Sequence, residues 1–221
     1  MWPRSADELV RVQRALASAA PPPWRPGERP AVGACVVTFP RGRTGPGAAG
    51  DPAWAAATLV RGRRVLADAV VRGEAAAPYV PGLLALREGP VLEAAVRGLS
   101  VAPDVLLVDA TGRDHPRRAG LALQLGSILA LPTVGVTHRP LLADGPWPDD
   151  ARAARSPLRL DEEHVGAWLR TRPGTRPLAV HAGWRTDVDA AVEVVLAATG
   201  RHRTPEPLRQ ARRLARSARG A

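Results

Sequence analysis

The sequence predicts an α/β fold: a mixed sheet that opens as an antiparallel meander, continues with alternating helices and strands, and is flanked by helices. Two patterns predict it. Apolar, β-rich runs at 31–39, 54–61 and 65–71 follow one another closely, the last two joined by Arg61-Gly62-Arg63-Arg64. Two shorter apolar runs, Val105 to Asp109 and Thr133 to Thr137, are then separated by helix-length segments. Composition permits one domain over 1–221, because 45% of the 221 residues are hydrophobic. With one Phe and one Tyr in the chain, Ala, Val and Leu must fill most of the core.

The elements follow in order. Leu9, Val10, Val12, Leu16 and Ala17 have helical spacing, and Pro21-Pro22-Pro23 stops that helix. A Gly/Pro/Arg loop from Pro40 to Asp51 separates the first two strands. Pro78-Tyr79-Val80-Pro81-Gly82 is a stiff loop before a helix over 84–99. A second helix is expected over 117–131. The polar stretch 139–159 reads as a surface excursion. A hairpin over 164–170 and 177–182 turns around Pro173-Gly174, and two helices over 188–198 and 207–216 close the chain. This order is that of a ribonuclease H-like core.

The formal charge is +10, and all 31 basic residues are Arg. Codon bias in a GC-rich genome explains the missing Lys. It explains the positive balance less well, which leaves a nucleic-acid partner open, since Arg forks match phosphate oxygens. One Cys excludes an intrachain disulfide. Neither an apolar leader nor a membrane-length apolar run is present, so a cytoplasmic monomer is the default expectation.

Few residues carry chemistry on their own evidence. Asp109 ends an apolar strand, where α/β folds gather functional groups, but an Asp leading into Ala110-Thr111-Gly112 is also an ordinary turn residue. Glu88 reads equally as a surface helix residue. His115 with Arg117 and Arg118 at an expected helix start suits phosphate, or a solvated basic turn.

Longer segments are more specific. Residues 78–90, with Tyr79, Val80, Pro81, Gly82 and Glu88, resemble a hallmark segment of the endonuclease V family. Leu107-Val108-Asp109-Ala110-Thr111-Gly112, followed by His115-Pro116-Arg117-Arg118, resembles another. Leu131-Pro132-Thr133-Val134-Gly135-Val136 and Thr204-Pro205-Glu206-Pro207-Leu208-Arg209, with Ala211 and Arg212, match the next strand and the last helix. The resemblance implies a ribonuclease H-like nuclease acting on deoxyinosine in DNA or inosine in RNA. Such enzymes cut 3′ of the deaminated base with magnesium. It implies Glu88 and Asp109 as metal ligands, His115 as a catalytic residue, and Tyr79 to Gly82 as a strand-separating wedge. Arg117 and Arg118 would contact nucleic acid.

The same alignment marks three departures. Cys35 stands where the family has a metal-binding Asp, His138 where it has Lys, and Trp184 where it has a His between Gly and Arg. Magnesium takes hard oxygen ligands, and a neutral thiol is a poor one. His181 or Asp187 could compensate, and Cys35, Glu88, Asp109 and His181 together could take zinc or manganese. Asp187 reads more simply as a helix cap. Two outcomes therefore compete: a nucleic-acid binder with weak or lost magnesium-dependent cleavage, and an active nuclease with altered metal ligands.

Overall fold

The computed structural model describes residues 1–42 and 47–220. The centre of the Pro40–Asp51 loop, 43–46, lies outside the described residues. The elements are α1 (Ala6–Ser18), β1 (Val32–Thr38), β2 (Pro52–Arg61), β3 (Arg64–Glu74), α2 (Leu84–Arg97), β4 (Val105–Val108), α3 (Leu121–Leu129), β5 (Thr133–Thr137), β6 (Arg155–Leu160), β7 (Glu163–Leu169), β8 (Leu178–Ala182), α4 (Val188–Ala197) and α5 (Glu206–Gly220).

One eight-stranded sheet has the order β3-β2-β1-β4-β5-β8-β7-β6. β1, β4 and β5 run parallel at its centre, and the flanking strands are antiparallel. The meander and the alternating elements therefore form the ribonuclease H-like arrangement expected from their order. Two corrections apply. The excursion at 139–159 contains most of an edge strand, β6, whose single fully buried side chain is Leu158 and which carries Pro157. Pro is tolerated at a sheet edge, and one buried position gives no visible alternation. The helix expected from Arg117 begins instead at Leu121, after Gly120.

Alternation along β1 divides the core. Ala34 and Val36 face α4 and α5, with Val192, Val195, Leu208 and Ala211. Cys35 faces the other layer, with Ala85, Leu92, Leu121 and Leu125 of α2 and α3. A glycine lets the N-terminal segment lie close on α2. A Cβ on Gly89 of α2 would meet the Trp2 ring at 2.3 Å, and the Trp2 indole donates to Glu93 at 2.6 Å.

A buried ion pair fixes the approach to α2. Arg87 Nη2 lies 3.0 Å from Asp51 Oδ2, and both side chains are 5% exposed. Arg87 Nη1 donates to the Ala48 and Ala77 carbonyls at 2.8 and 3.0 Å. Its guanidinium lies 4.3 Å from the Phe39 ring centroid. Three segments of the chain, at Phe39, Ala48–Asp51 and Ala77, are thus tied to the residue beside Glu88.

Candidate active site

Parallel strands β1 and β4 place Cys35 opposite Val108, so Cys35 sits one residue back from Asp109 at the carboxyl end of β4. Glu88 arrives from α2 on the Cys35 face. Both carboxylates are close enough to Cys35 to act on it. Burial first, then the charges of Asp109 and Glu88, push the thiol far above its ordinary range. Cys35 is therefore a neutral, wholly buried thiol.

Burial also pushes Glu88 up to about 7, with Arg87 pulling it down and Asp109 pushing it further up. The side chain retains some solvent contact while lying within a dense wall of protein atoms. A raised carboxyl favours the folded state when protonated. That contribution is complete below the unfolded value near 4.5 and is lost as pH rises through about 7. Glu88→Gln should therefore stabilise the protein relative to wild type by a few kcal/mol, roughly, at pH 8 and by little at pH 4. Paired thermal melts across this range test it, and parallel curves would overturn the burial argument.

Asp109 is engaged from the opposite face of the sheet. Arg212 of α5 donates through Nη2 to Asp109 Oδ2 at 2.7 Å. Arg212 lies in a segment that resembles the family, and nothing in that resemblance reveals this contact. Its only advance signal was a guanidinium near the Leu208-Ala211-Ala215 stripe that docks α5 on the sheet.

Asp109 also lines a cavity of about 200 Å³ with Tyr79, Gly82, Leu84, Ala85, His115, Leu121, Thr137 and Leu141 among others. Tyr79 and Val80 are 42% and 40% exposed. The Gly82 carbonyl holds the base of this loop, accepting from Gln13 Nε2 at 3.1 Å, His115 Nε2 at 3.1 Å and Arg117 Nη2 at 2.7 Å. Gly82 has φ +76°, and a Cβ there would lie 3.1 Å from Arg117 Nη2. A side chain would be both strained and crowded.

These contacts also fix how His115, Arg117 and Arg118 are held. His115 is buried, and its Nδ1 accepts from the Arg117 amide at 3.2 Å while Nε2 donates to Gly82. That pattern is a neutral ring. Burial, then Arg117, lower its pKa to about 4, against smaller raising effects of the Gly82 bond and Asp114. Arg117 is turned inward to Gly82 and also bonds Gln13 at 2.5 Å. Arg118 is paired with Asp161 at 2.6 Å and Glu163 at 2.8 Å. None of the three presents a free cation to solvent at a helix start.

The remaining candidates separate by end of sheet. His138 follows β5 at the Asp109 end, with its Nδ1 2.9 Å from Arg203 Nη1. Burial first and Arg203 next lower its pKa, and Asp109 is close enough to oppose them. Trp184 is not at this end. Its backbone brackets Thr133, donating to Oγ1 at 2.8 Å and accepting from the Thr133 amide at 2.9 Å. Thr133 opens β5 and Asp109 follows the close of β4, so Trp184 lies across the sheet from the carboxylates. Asp187 caps α4 through the Ala190 amide at 2.8 Å. His181 is fully buried, 2.9 Å from Thr137 Oγ1 and 3.8 Å from Asp114 Oδ2. Asp114, also missed from sequence, accepts from the amides of Leu141, Leu142 and Ala143 at 2.6, 2.8 and 2.8 Å and so fixes the cavity's outer wall.

The model of the endonuclease V family matches residues 34–213. The chain belongs to the endonuclease V family. Endonuclease V of Roseiflexus castenholzii is 43% identical over 172 residues, which cover 76% of this chain and 77% of that protein. The crystal structure of the Streptomyces avermitilis endonuclease V superposes with a TM-score of 0.88 at 36% identity, covering 98% of this chain and 94% of that one. The Ciona intestinalis endonuclease V, solved in complex with a 24mer DNA containing an inosine followed by a ribo-adenosine, has a TM-score of 0.78 at 19% identity, covering 96% of each chain. Endonuclease V proteins are generally metal-dependent. The donors of this chain fit magnesium poorly: a neutral thiol, a carboxyl half-protonated near neutrality, and a carboxylate bound to a guanidinium. Among the described residues, no three His, Cys, Asp or Glu side chains are grouped to hold a metal ion.

Proposed function

We propose that this endonuclease V relative binds DNA or RNA carrying a deaminated base and that its magnesium-dependent cleavage is weak or lost. The observation that carries this reading is the Arg212–Asp109 pair beside a neutral Cys35. The cavity beneath Tyr79 takes the flipped base, and Tyr79 stacks at its rim. The Gly82 anchor holds the loop still while strands part around it. Glu88 and Asp109 flank the phosphodiester without a full set of hard ligands. The inosine-containing DNA bound by the Ciona protein supports this class of partner.

The test is binding and cleavage of an inosine-containing oligonucleotide beside an adenine control, in magnesium and in manganese. Preferential inosine binding with little cutting is expected. Robust cutting abolished by Glu88→Ala or Asp109→Ala would instead establish an active enzyme with other ligands. Tyr79→Ala should lower inosine preference by roughly tenfold, on the scale of a single base–aromatic stack, while the melting temperature stays nearly unchanged. A large fall in melting temperature would place Tyr79 in the core instead.

A further inference from the structure

Arg209, Arg212, Arg213 and Arg216 lie at i, i+3, i+4 and i+7 on α5, a spacing that puts all of them on one helix face. The adjacent face buries Leu208, Ala211 and Ala215 against the sheet, with Arg212 at the boundary between the two. The arginines line a groove of about 530 Å³ that runs about 10 Å along the helix. Arg213 and Arg216 are exposed and make no ion pair among the described residues. Arg209 is shared with Glu206 at 3.3 Å. Arg212 belongs both to this groove and, through Nη2, to Asp109. Asp109 in turn lines the cavity beneath Tyr79. Cavity, carboxylate and arginine groove are therefore consecutive.

We propose that Arg212 is a built-in cation at Asp109 and that, with Arg213 and Arg216, it forms a metal-independent track for the phosphodiester backbone. The proposal rests on the nucleic-acid reading above and names how the backbone is held. A phosphate beside Glu88 and Asp109 meets negative charge unless a cation stands between. A guanidinium has five N–H donors, and Asp109 uses only one of Arg212's nitrogens. The remaining donors can turn to phosphate oxygens without releasing the carboxylate.

The experiment is a salt titration of a labelled single-stranded oligonucleotide containing one inosine, in EDTA, with an adenine control. Wild type should bind without divalent metal. The exposed pair Arg213→Gln/Arg216→Gln should reduce the slope of log affinity against log salt by about 1.4, roughly 0.7 for each single-strand phosphate that the variant no longer neutralises. Arg212→Gln should weaken binding in EDTA by about tenfold or more. Melting curves confirm that each variant is folded. Wild-type binding that needs magnesium, an unchanged slope in the double variant, or unchanged EDTA binding in Arg212→Gln overturns the track. The adenine control separates the two proposals. Inosine preference with an unchanged slope removes the track alone, equal affinity for both bases with a reduced slope removes the base reading alone, and no binding to either oligonucleotide removes both.

Discussion

A chain carrying Cys35→Asp together with Arg212→Ala is expected to gain a magnesium-dependent rise in melting temperature that the unaltered chain lacks. The substitution at Cys35 supplies a hard anionic ligand one residue back from Asp109, on the face from which Glu88 arrives. The substitution at Arg212 releases Asp109 from its guanidinium. Without metal, three carboxyl groups are crowded at a strand end, one of them at a wholly buried position. The metal-free double variant should therefore melt below wild type. Magnesium at 100 times its dissociation constant contributes about 2.7 kcal/mol, and at about 2–4 °C per kcal/mol for a chain of this size the rise is roughly 5–11 °C.

The single variants discriminate. Cys35→Asp alone keeps Arg212 in the ion's place and should respond weakly. His138→Lys, at the correct end of the sheet, should raise cleavage further in the double variant. Trp184→His should add nothing, because its backbone is bound to Thr133 at the opposite end. A cleavage gain that required Trp184→His would refute the geometric assignment. A double variant with no magnesium response would mean that the cleft no longer has the shape of a metal site.

Arg87→Ala is expected to be the most damaging single substitution for stability. Its partner Asp51 is 5% exposed, and removing one member of a buried pair costs about 3–5 kcal/mol. The Ala48 and Ala77 carbonyls lose a donor in the same step. The melting temperature should fall by roughly 6–20 °C. Arg87→Lys keeps the charge but not the fork, and should fall between. Urea or thermal unfolding measures it. A loss below about 1 kcal/mol, the scale of an exposed pair, would contradict the burial of Arg87 and Asp51.

The fold was legible wherever apolar periodicity was strong. β1 to β5, β7, β8 and the helices lie within a few residues of their expected spans, because most of them bury a regular apolar face. β6 was hidden by Pro157 and by having a single fully buried position at the sheet edge. The start of α3 was displaced because His115 to Ala119 fold as a pinned turn, which local composition does not distinguish from a basic first helical turn. At the site, strand order brings Cys35 beside Asp109 as the alignment required, and Tyr79 lies at an exposed loop. Trp184 shows the limit of that method. Gly183-Trp184-Arg185 can be matched to a short motif, but only the register of β5 and β8 reveals at which end of the sheet it emerges. Arg212 shows the converse. It lies inside a matching segment, and its consequence is electrostatic, arising only when α5 crosses to the close of β4. For His115 the sequence offered a phosphate-binding turn and, by resemblance, a catalytic role; burial and the Gly82 carbonyl, which sequence does not reveal, keep its ring neutral.

The Gly82 carbonyl converts three distant parts of the chain into one support. Gln13 comes from the first helix, His115 and Arg117 from the turn before the third, and each points at the same oxygen. A loop held this way has already surrendered its conformational freedom before any strand of nucleic acid arrives, so encounter need not supply that ordering free energy. The rigidity is also shared rather than local. Loss of the first helix would leave Tyr79 and both carboxylates in the sequence while loosening the frame that aims them, so under the function proposed above recognition would depend on residues that never touch the base.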